Sequence, residues 1–299
     1  MHCVCNPRIL SRSVLFACPI TFPITGSNFR KMPKILCLHG QGTSGFIFKS
    51  QSASFRAKLP ADFEWDFPDA PYTAAAHPGI DVLFHCPTYA WWLASQDTVN
   101  AVRASHLWLD EYIEEHGPYD GVCCFSQGCS LVGSYLLYHA KEDPGRQVPF
   151  RWAVFICGGL PLPVLEDLGL EVPQRAHELN QRTATLMRTK SSMLYDVEKL
   201  PKGQGLWDDT ADLEHDADEL PDETDCFGLD FTRFPKDSRI KIPTVHIVGE
   251  KDPRWSAGVQ LAYFCDDRKF YDHRGGHDIP RTTPVSLKIA ELVKEVNKA

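Results

Sequence analysis

The feature that most constrains this chain is an alternation. From Lys34 onward, short apolar runs are separated by stretches of helical periodicity. Residues 35–38, 119–125, 152–156 and 244–248 are the clearest runs, and 63–67 and 269–273 are weaker ones. Continuous apolar runs of this length suit strands buried on both faces. Helical patterns occupy residues 46–59, 97–116, 127–140, about 256–264 and 284–297. In the second of these, Val99, Val102, Leu109 and Ile113 recur at helical spacing, and Gly117-Pro118 stops it. Parallel strands need a crossover, which a helix supplies. The expectation is an α/β fold: a mostly parallel central sheet with helices on both faces.

One stretch breaks the rhythm. Residues 160–242 hold no strong strand, a helical pattern at 173–193, and a run at 208–225 with ten acids and no Lys or Arg. A segment that long between core strands reads as an insertion capping a site. Like charges repel, so the acidic run reads as a solvated, mobile loop. It lacks the alternating acids, Gly and distal Glu of a calcium loop. Residues 1–31 contain Arg8, Arg12, Arg30 and Lys31 but no acid. This extension has three readings: a transit peptide, a signal peptide, or an upstream stretch before a start at Met32. The third is preferred, leaving 32–299 as the folded domain.

The formal net charge of −8 argues against a nucleic-acid partner. The apolar stretch near residues 14–22 is too short to span a membrane, and Pro19 interrupts it. Eleven cysteines include Cys37, Cys123, Cys124 and Cys157 inside or beside apolar runs. There they read as small buried hydrophobes. Reduced thiols and a cytoplasmic home are expected, with organelle targeting by residues 1–31 as the alternative.

Chemistry concentrates at strand ends. Cys124-Phe125-Ser126-Gln127-Gly128 follows a strand and opens a helix, the context of a nucleophile elbow. A serine needs a base held by an acid, and in this arrangement the order is Ser, acid, His. Asp252 lies in the turn after one strand, with Glu250 as its rival. His277 follows Gly275-Gly276 after the last strand, with His273 as its rival. The backbone N–H groups of Gln41 and Gln127 are the expected oxyanion donors. A competing motif shares that first loop. Gly40-x-Gly42-x-x-Gly45, with Asp66 about twenty residues on, matches the dinucleotide fingerprint. It accounts for one loop, whereas the hydrolase reading accounts for four sites and their order. Tyr89, Trp91 and Trp92 read equally as packing under a loop or as substrate-binding walls of an acyl pocket.

Taken together, the segments 35–40, Asp69-Ala70-Pro71, Trp91-Trp92, Phe125-Ser126-Gln127-Gly128, 249–253 and Gly275-Gly276-His277 resemble the fungal family of small serine hydrolases. Within that family the chain is similar to stand-alone polyketide-releasing thioesterases of the lovastatin type. The resemblance covers residue 34 to the C-terminus, without the acidic run. It implies an α/β-hydrolase fold, a Ser126–His277–Asp252 triad, and no metal or organic cofactor. The implied substrate is a small acyl ester or acyl thioester, including one held on an acyl carrier protein of a polyketide synthase. Departures are Cys124 in place of the usual Gly, the extension, and the acidic insert, which leaves specificity open. The same constellation could run acyl transfer or condensation. A non-catalytic binding protein on this fold is the remaining alternative.

Overall fold

The computed structural model describes residues 32–195, 205–213, 215 and 219–298. The readings of residues 1–31 therefore lie outside the described residues, as do Glu214, Asp216 and Asp218 of the acidic run. The strands are β1 (Lys34–Leu38), β2 (Glu64–Asp66), β3 (Tyr72–Thr73), β4 (Tyr89–Ala90), β5 (Gly121–Phe125), β6 (Trp152–Ile156), β7 (Thr244–Val248) and β8 (Arg268–Asp272). The helices are α1 (Gly45–Gln51), α2 (Ala53–Arg56), α3 (Ile80–Leu83), α4 (Thr98–His116), α5 (Gln127–Glu142), α6 (Leu162–Asp167), α7 (Gln174–Ser192), α8 (Trp255–Tyr263) and α9 (Thr283–Val296).

Six strands form one sheet in the order β2-β1-β5-β6-β7-β8, and every neighbouring pair is parallel. Successive side chains on a strand point to opposite faces, and both faces here are covered. Leu36, Leu38, Val122, Cys124, Ala153 and Phe155 pack with residues of α4, α5 and α8. Their neighbours Ile35, Cys37, Cys123, Phe125, Val154 and Ile156 pack with residues of α1, α2 and α9. This is why the strands read as unbroken apolar runs. The arrangement is the expected α/β-hydrolase fold. Because all six strands run the same way, the loops after β1, β5, β7 and β8 emerge along one edge of the sheet.

Three local features differ from the sequence expectation. The helix at 46–59 is two short helices, because the Ser52 hydroxyl donates back to Phe48 O at 2.7 Å and the chain turns there. The two-residue antiparallel pair of β3 and β4 is too short to carry a periodic signal. Helix α6, for which the sequence shows no helical pattern, begins at Pro161-Leu162-Pro163, and proline in the first turn fits a helix start.

The region 160–242 carries α6, α7 and two short 3-10 turns, Phe231–Arg233 and Lys236–Ser238. The described acids of the run are mostly exposed, and some of its residues are paired to the rest of the fold. Asp208 pairs with Lys251 at 2.8 Å and Asp225 with Arg175 at 2.6 Å. The buried Lys190 ammonium donates to Asp209 O at 2.6 Å, and the His215 ring stacks on Trp255 at 4.5 Å. Exposed pairs of this kind contribute little stability individually. Their consequence here is positional, since Lys251 and Trp255 flank the loop after β7. No helix among the described residues is long and apolar enough to cross a membrane. The cysteines among the described residues are all unpaired thiols.

Three histidines are held neutral in the interior. Burial lowers His39 and His106 to about 4 and His246 to about 3. The unfolded chain protonates near 6.5, so between that pH and about 4 it binds more protons than the fold does. Stability is therefore intact above pH 6.5 and falls as pH drops, by up to roughly 1.4 kcal/mol per pH unit for each histidine. A thermal midpoint followed from pH 8 to 4.5 should be level at first and then decline steadily below about pH 6.5. A midpoint that stays level down to pH 5 would contradict this reading.

Candidate active site

Ser126 is the residue between β5 and α5. Its backbone lies at φ 51°, ψ −114°, a conformation unusual for a residue with a side chain, so the turn is sharp. Its N–H donates to Ile156 O at 3.0 Å, holding the turn to the next strand. A Cβ on Gly128 would come within 2.3 Å of Leu38 O, so only glycine lets α5 pack this closely on β1. Cys124 is fully buried beneath the turn, and burial pushes its thiol well above the usual range. It is a packing residue where a glycine would otherwise stand.

The Ser126 hydroxyl lies 2.9 Å from His277 Nε2, and His277 Nδ1 lies 2.8 Å from Asp252 Oδ2. The Asp252 side chain is 1% exposed and that of His277 is 11% exposed. A carboxylate can only accept, so the His277 proton sits on Nδ1 and Nε2 is left to accept from the serine. The second Asp252 oxygen accepts the Arg254 N–H at 2.7 Å. The rivals point elsewhere. Glu250 pairs with Arg274 at 2.6 Å. The His273 ring accepts the Gly275 N–H at 3.1 Å and faces Cys157 Sγ at 3.6 Å.

The loop after β1 abuts this turn: a Cβ on Gly40 would lie 3.1 Å from Ser126 Cβ. Gln41 is exposed, while Gln127 is buried. Among the described residues, neither backbone N–H has a backbone acceptor. The dinucleotide reading of the same loop does not fit. The amides a phosphate would need are taken, Gly42 N–H by Tyr89 O at 2.9 Å, Gly45 N–H by Asp69 at 2.8 Å and Ile47 N–H by Ser44 at 3.2 Å. Asp66, the expected ribose partner, instead accepts from the hydroxyls of Tyr112 and Tyr119.

The aromatic cluster also needs a correction. Trp91 is 0% exposed and packs against Trp108 with ring centroids 5.1 Å apart, so it cannot wall a substrate pocket. Tyr89 and Trp92 are half-buried and pack on the same core. Two cavities, about 440 and 400 Å³, run along α7, and neither is lined by Ser126 or His277. Cys157, Asp252 and His277 have potential ligand atoms within 4.8 Å of one another. Asp252 and His277 are bonded to each other there, and burial keeps the Cys157 thiol protonated, which makes it a poor metal ligand.

Residues 28–289 match the family model described as "Serine hydrolase (FSH1)". The chain belongs to the FSH1 serine hydrolase family. It is 30% identical over 273 residues to Esterase alnB of Emericella nidulans, covering 84% of this chain and 92% of the relative. It is 31% identical over 272 residues to Hydrolase FUB4 of Fusarium oxysporum f. sp. lycopersici, covering 88% and 97%. It is 34% identical over 270 residues to Hydrolase phiM of a fungal species, covering 88% and 95%. This FSH1 chain is thus an enzyme of the serine hydrolase class with fungal esterase and hydrolase relatives.

Three neighbours of the site in this FSH1 hydrolase carry no motif in the sequence. Arg254 reaches from the Asp252 loop into α7, donating to Asn180 O at 2.9 Å and to Thr183 and Asn180 Oδ1 at 2.8 Å each. The Trp207 ring lies on the backbone of Gly276, one residue before His277; a Cβ there would fall 2.0 Å from the indole. That contact, as much as loop freedom, explains Gly276. His77 donates its N–H to Gly42 O at 2.9 Å. Burial, and then the charge of His277, push its pKa down. All three depend on contacts between segments distant in sequence, which periodicity cannot report.

Proposed function

We propose that Ser126 is the nucleophile, His277 the general base and Asp252 the orienting acid of an acyl ester or acyl thioester hydrolase. The observation that carries the reading is the continuous contact from carboxylate to imidazole to a hydroxyl raised on a sharp turn. His277 Nε2 takes the proton as Ser126 Oγ bonds to the acyl carbon. The carbonyl oxygen becomes an oxyanion, held by the N–H groups of Gln41 and Gln127. The imidazolium returns its proton to the leaving alcohol or thiol as that bond breaks. Water then repeats the sequence to free the acid and restore Ser126. Asp252 keeps its charge throughout and steadies the imidazolium.

The substrate class follows the resemblance to polyketide-releasing thioesterases and the fungal esterase relatives. The leaving group is the thiol of a carrier, such as an acyl carrier protein, or an alcohol. Residues 160–242 act as a cap over the site. Support comes from the bonds of Arg254 to α7 and the packing of Trp207 against the His277 loop. The test is turnover of matched acyl thioesters and acyl p-nitrophenyl esters over short to long chains. Both classes should release free acid, with the higher kcat/KM on thioesters. Absence of turnover on both classes would overturn the reading.

A further inference from the structure

Trp91, for which the sequence allowed packing or a substrate wall, is buried among polar partners that converge on the two oxyanion donors. The Gly40 carbonyl and the Gln41 N–H belong to one planar, trans peptide, so whatever fixes the carbonyl aims the N–H in the opposite direction. Two donors fix it. Thr43 Oγ1 donates to Gly40 O at 2.7 Å, and His39 Nδ1 lies 2.8 Å from the same oxygen. The tautomer follows from the other side of the ring. His39 Nε2 accepts the Ala70 N–H at 3.0 Å, so the proton is on Nδ1 and points at Gly40 O. The preceding carbonyl, His39 O, accepts the Trp91 indole N–H at 2.8 Å.

The second half of the hole meets the same tryptophan. Gln127 carries the other donor on its backbone, and its side chain grips the Trp91-Trp92 segment at both ends. Trp91 N–H donates to Gln127 Oε1 at 3.0 Å, and Gln127 Nε2 donates to Trp92 O at 2.9 Å. His39 and Trp91 are each 0% exposed, Thr43 is 3% and Gln127 is 9%. Water therefore does not compete for these bonds, and each is costly to leave unmade.

We propose that Trp91, with His39 and Thr43, is a positioning brace that holds the Gln41 and Gln127 N–H donors at a fixed separation and direction. The inference rests on the oxyanion roles given to those two residues under the proposed function. A preorganised hole acts only as charge develops on the carbonyl oxygen, so loosening it lowers kcat and leaves substrate binding alone.

The test uses Trp91→Phe, which keeps an aromatic ring and loses the indole N–H, and the isosteric Thr43→Val with Thr43→Ser as its rescue. Turnover and the affinity for an acyl trifluoromethyl ketone, which forms an oxyanion on Ser126, are both measured. Trp91→Phe and Thr43→Val should each lower kcat by roughly 10- to 100-fold, short of the full loss of a donor. The ketone should weaken in parallel while KM stays within about twofold, and Thr43→Ser should restore both. Folded variants with wild-type kcat, or a raised KM at unchanged kcat, would overturn the brace. If Trp91→Phe does not fold, the Thr43 pair decides alone. Failure of the underlying reading is distinct, since the wild type would then show no Ser126-dependent turnover at all.

Discussion

Ser126→Ala should lower kcat on an acyl ester or thioester by about 10⁴- to 10⁶-fold. The substitution removes one oxygen atom, and with it the only group that can bond to the acyl carbon in the proposed route. His277 Nε2, 2.9 Å away, is then left facing water. What remains is the oxyanion site and substrate binding, which together give a small residual rate over water. The fold should not notice. Ser126 is half-buried in a turn held by its own N–H and by the packing of Gly128, none of which the hydroxyl supplies. The thermal midpoint should therefore match wild type to within what about 0.5 kcal/mol would shift. Activity within tenfold of wild type in a folded Ser126→Ala protein would remove this serine from the chemistry.

Asp252→Asn should lower kcat by on the order of 10⁴-fold with little change in KM. The reason is the direction of one proton. In the wild type one Asp252 oxygen accepts the Arg254 N–H at 2.7 Å and the other faces His277 Nδ1 at 2.8 Å. An asparagine must turn its oxygen toward the Arg254 N–H, which can only donate. Its NH₂ group then meets His277 Nδ1, and the ring answers by moving its proton to Nε2. In that tautomer the imidazole points a hydrogen at Ser126 and cannot take the serine's proton. At 1% exposure no water intervenes to relieve the mismatch. A loss of less than tenfold would mean that Asp252 does not set the tautomer.

The sequence made the central strands legible because each of them is buried on both faces. Residues 152–156 are apolar throughout and 244–248 are apolar at Val245, Ile247 and Val248, since helices cover both faces of these strands, and the observed β6 and β7 span those same residues. Helix α4 was legible from one apolar stripe and a clear stop. Ser126, Asp252 and His277 stood out because each follows a strand, and parallel strands bring such loops to one edge. The structure brings these three together. Trp91 was left between packing and a pocket wall because an aromatic residue in a loop carries no sign of its burial. Only the long-range bonds to His39 and Gln127 distinguish a brace from a pocket wall. The pairings of the acidic run were not legible because Lys251, Lys190 and Arg175 lie outside the run in the chain. Gly40, Gly42 and Gly45 mimicked a phosphate loop because both folds need a tight turn between a strand and a helix. What separates them is which groups already occupy the amides.

The proposed route requires Ser126 to be an activated nucleophile. Its most direct test is incubation of the folded protein with a fluorophosphonate, followed by intact mass and peptide mapping. One adduct per chain is expected, carried on the hydroxyl of Ser126 and absent from Ser126→Ala. An adduct on a different serine, or an unmodified Ser126 in protein that turns over acyl substrates, would contradict it.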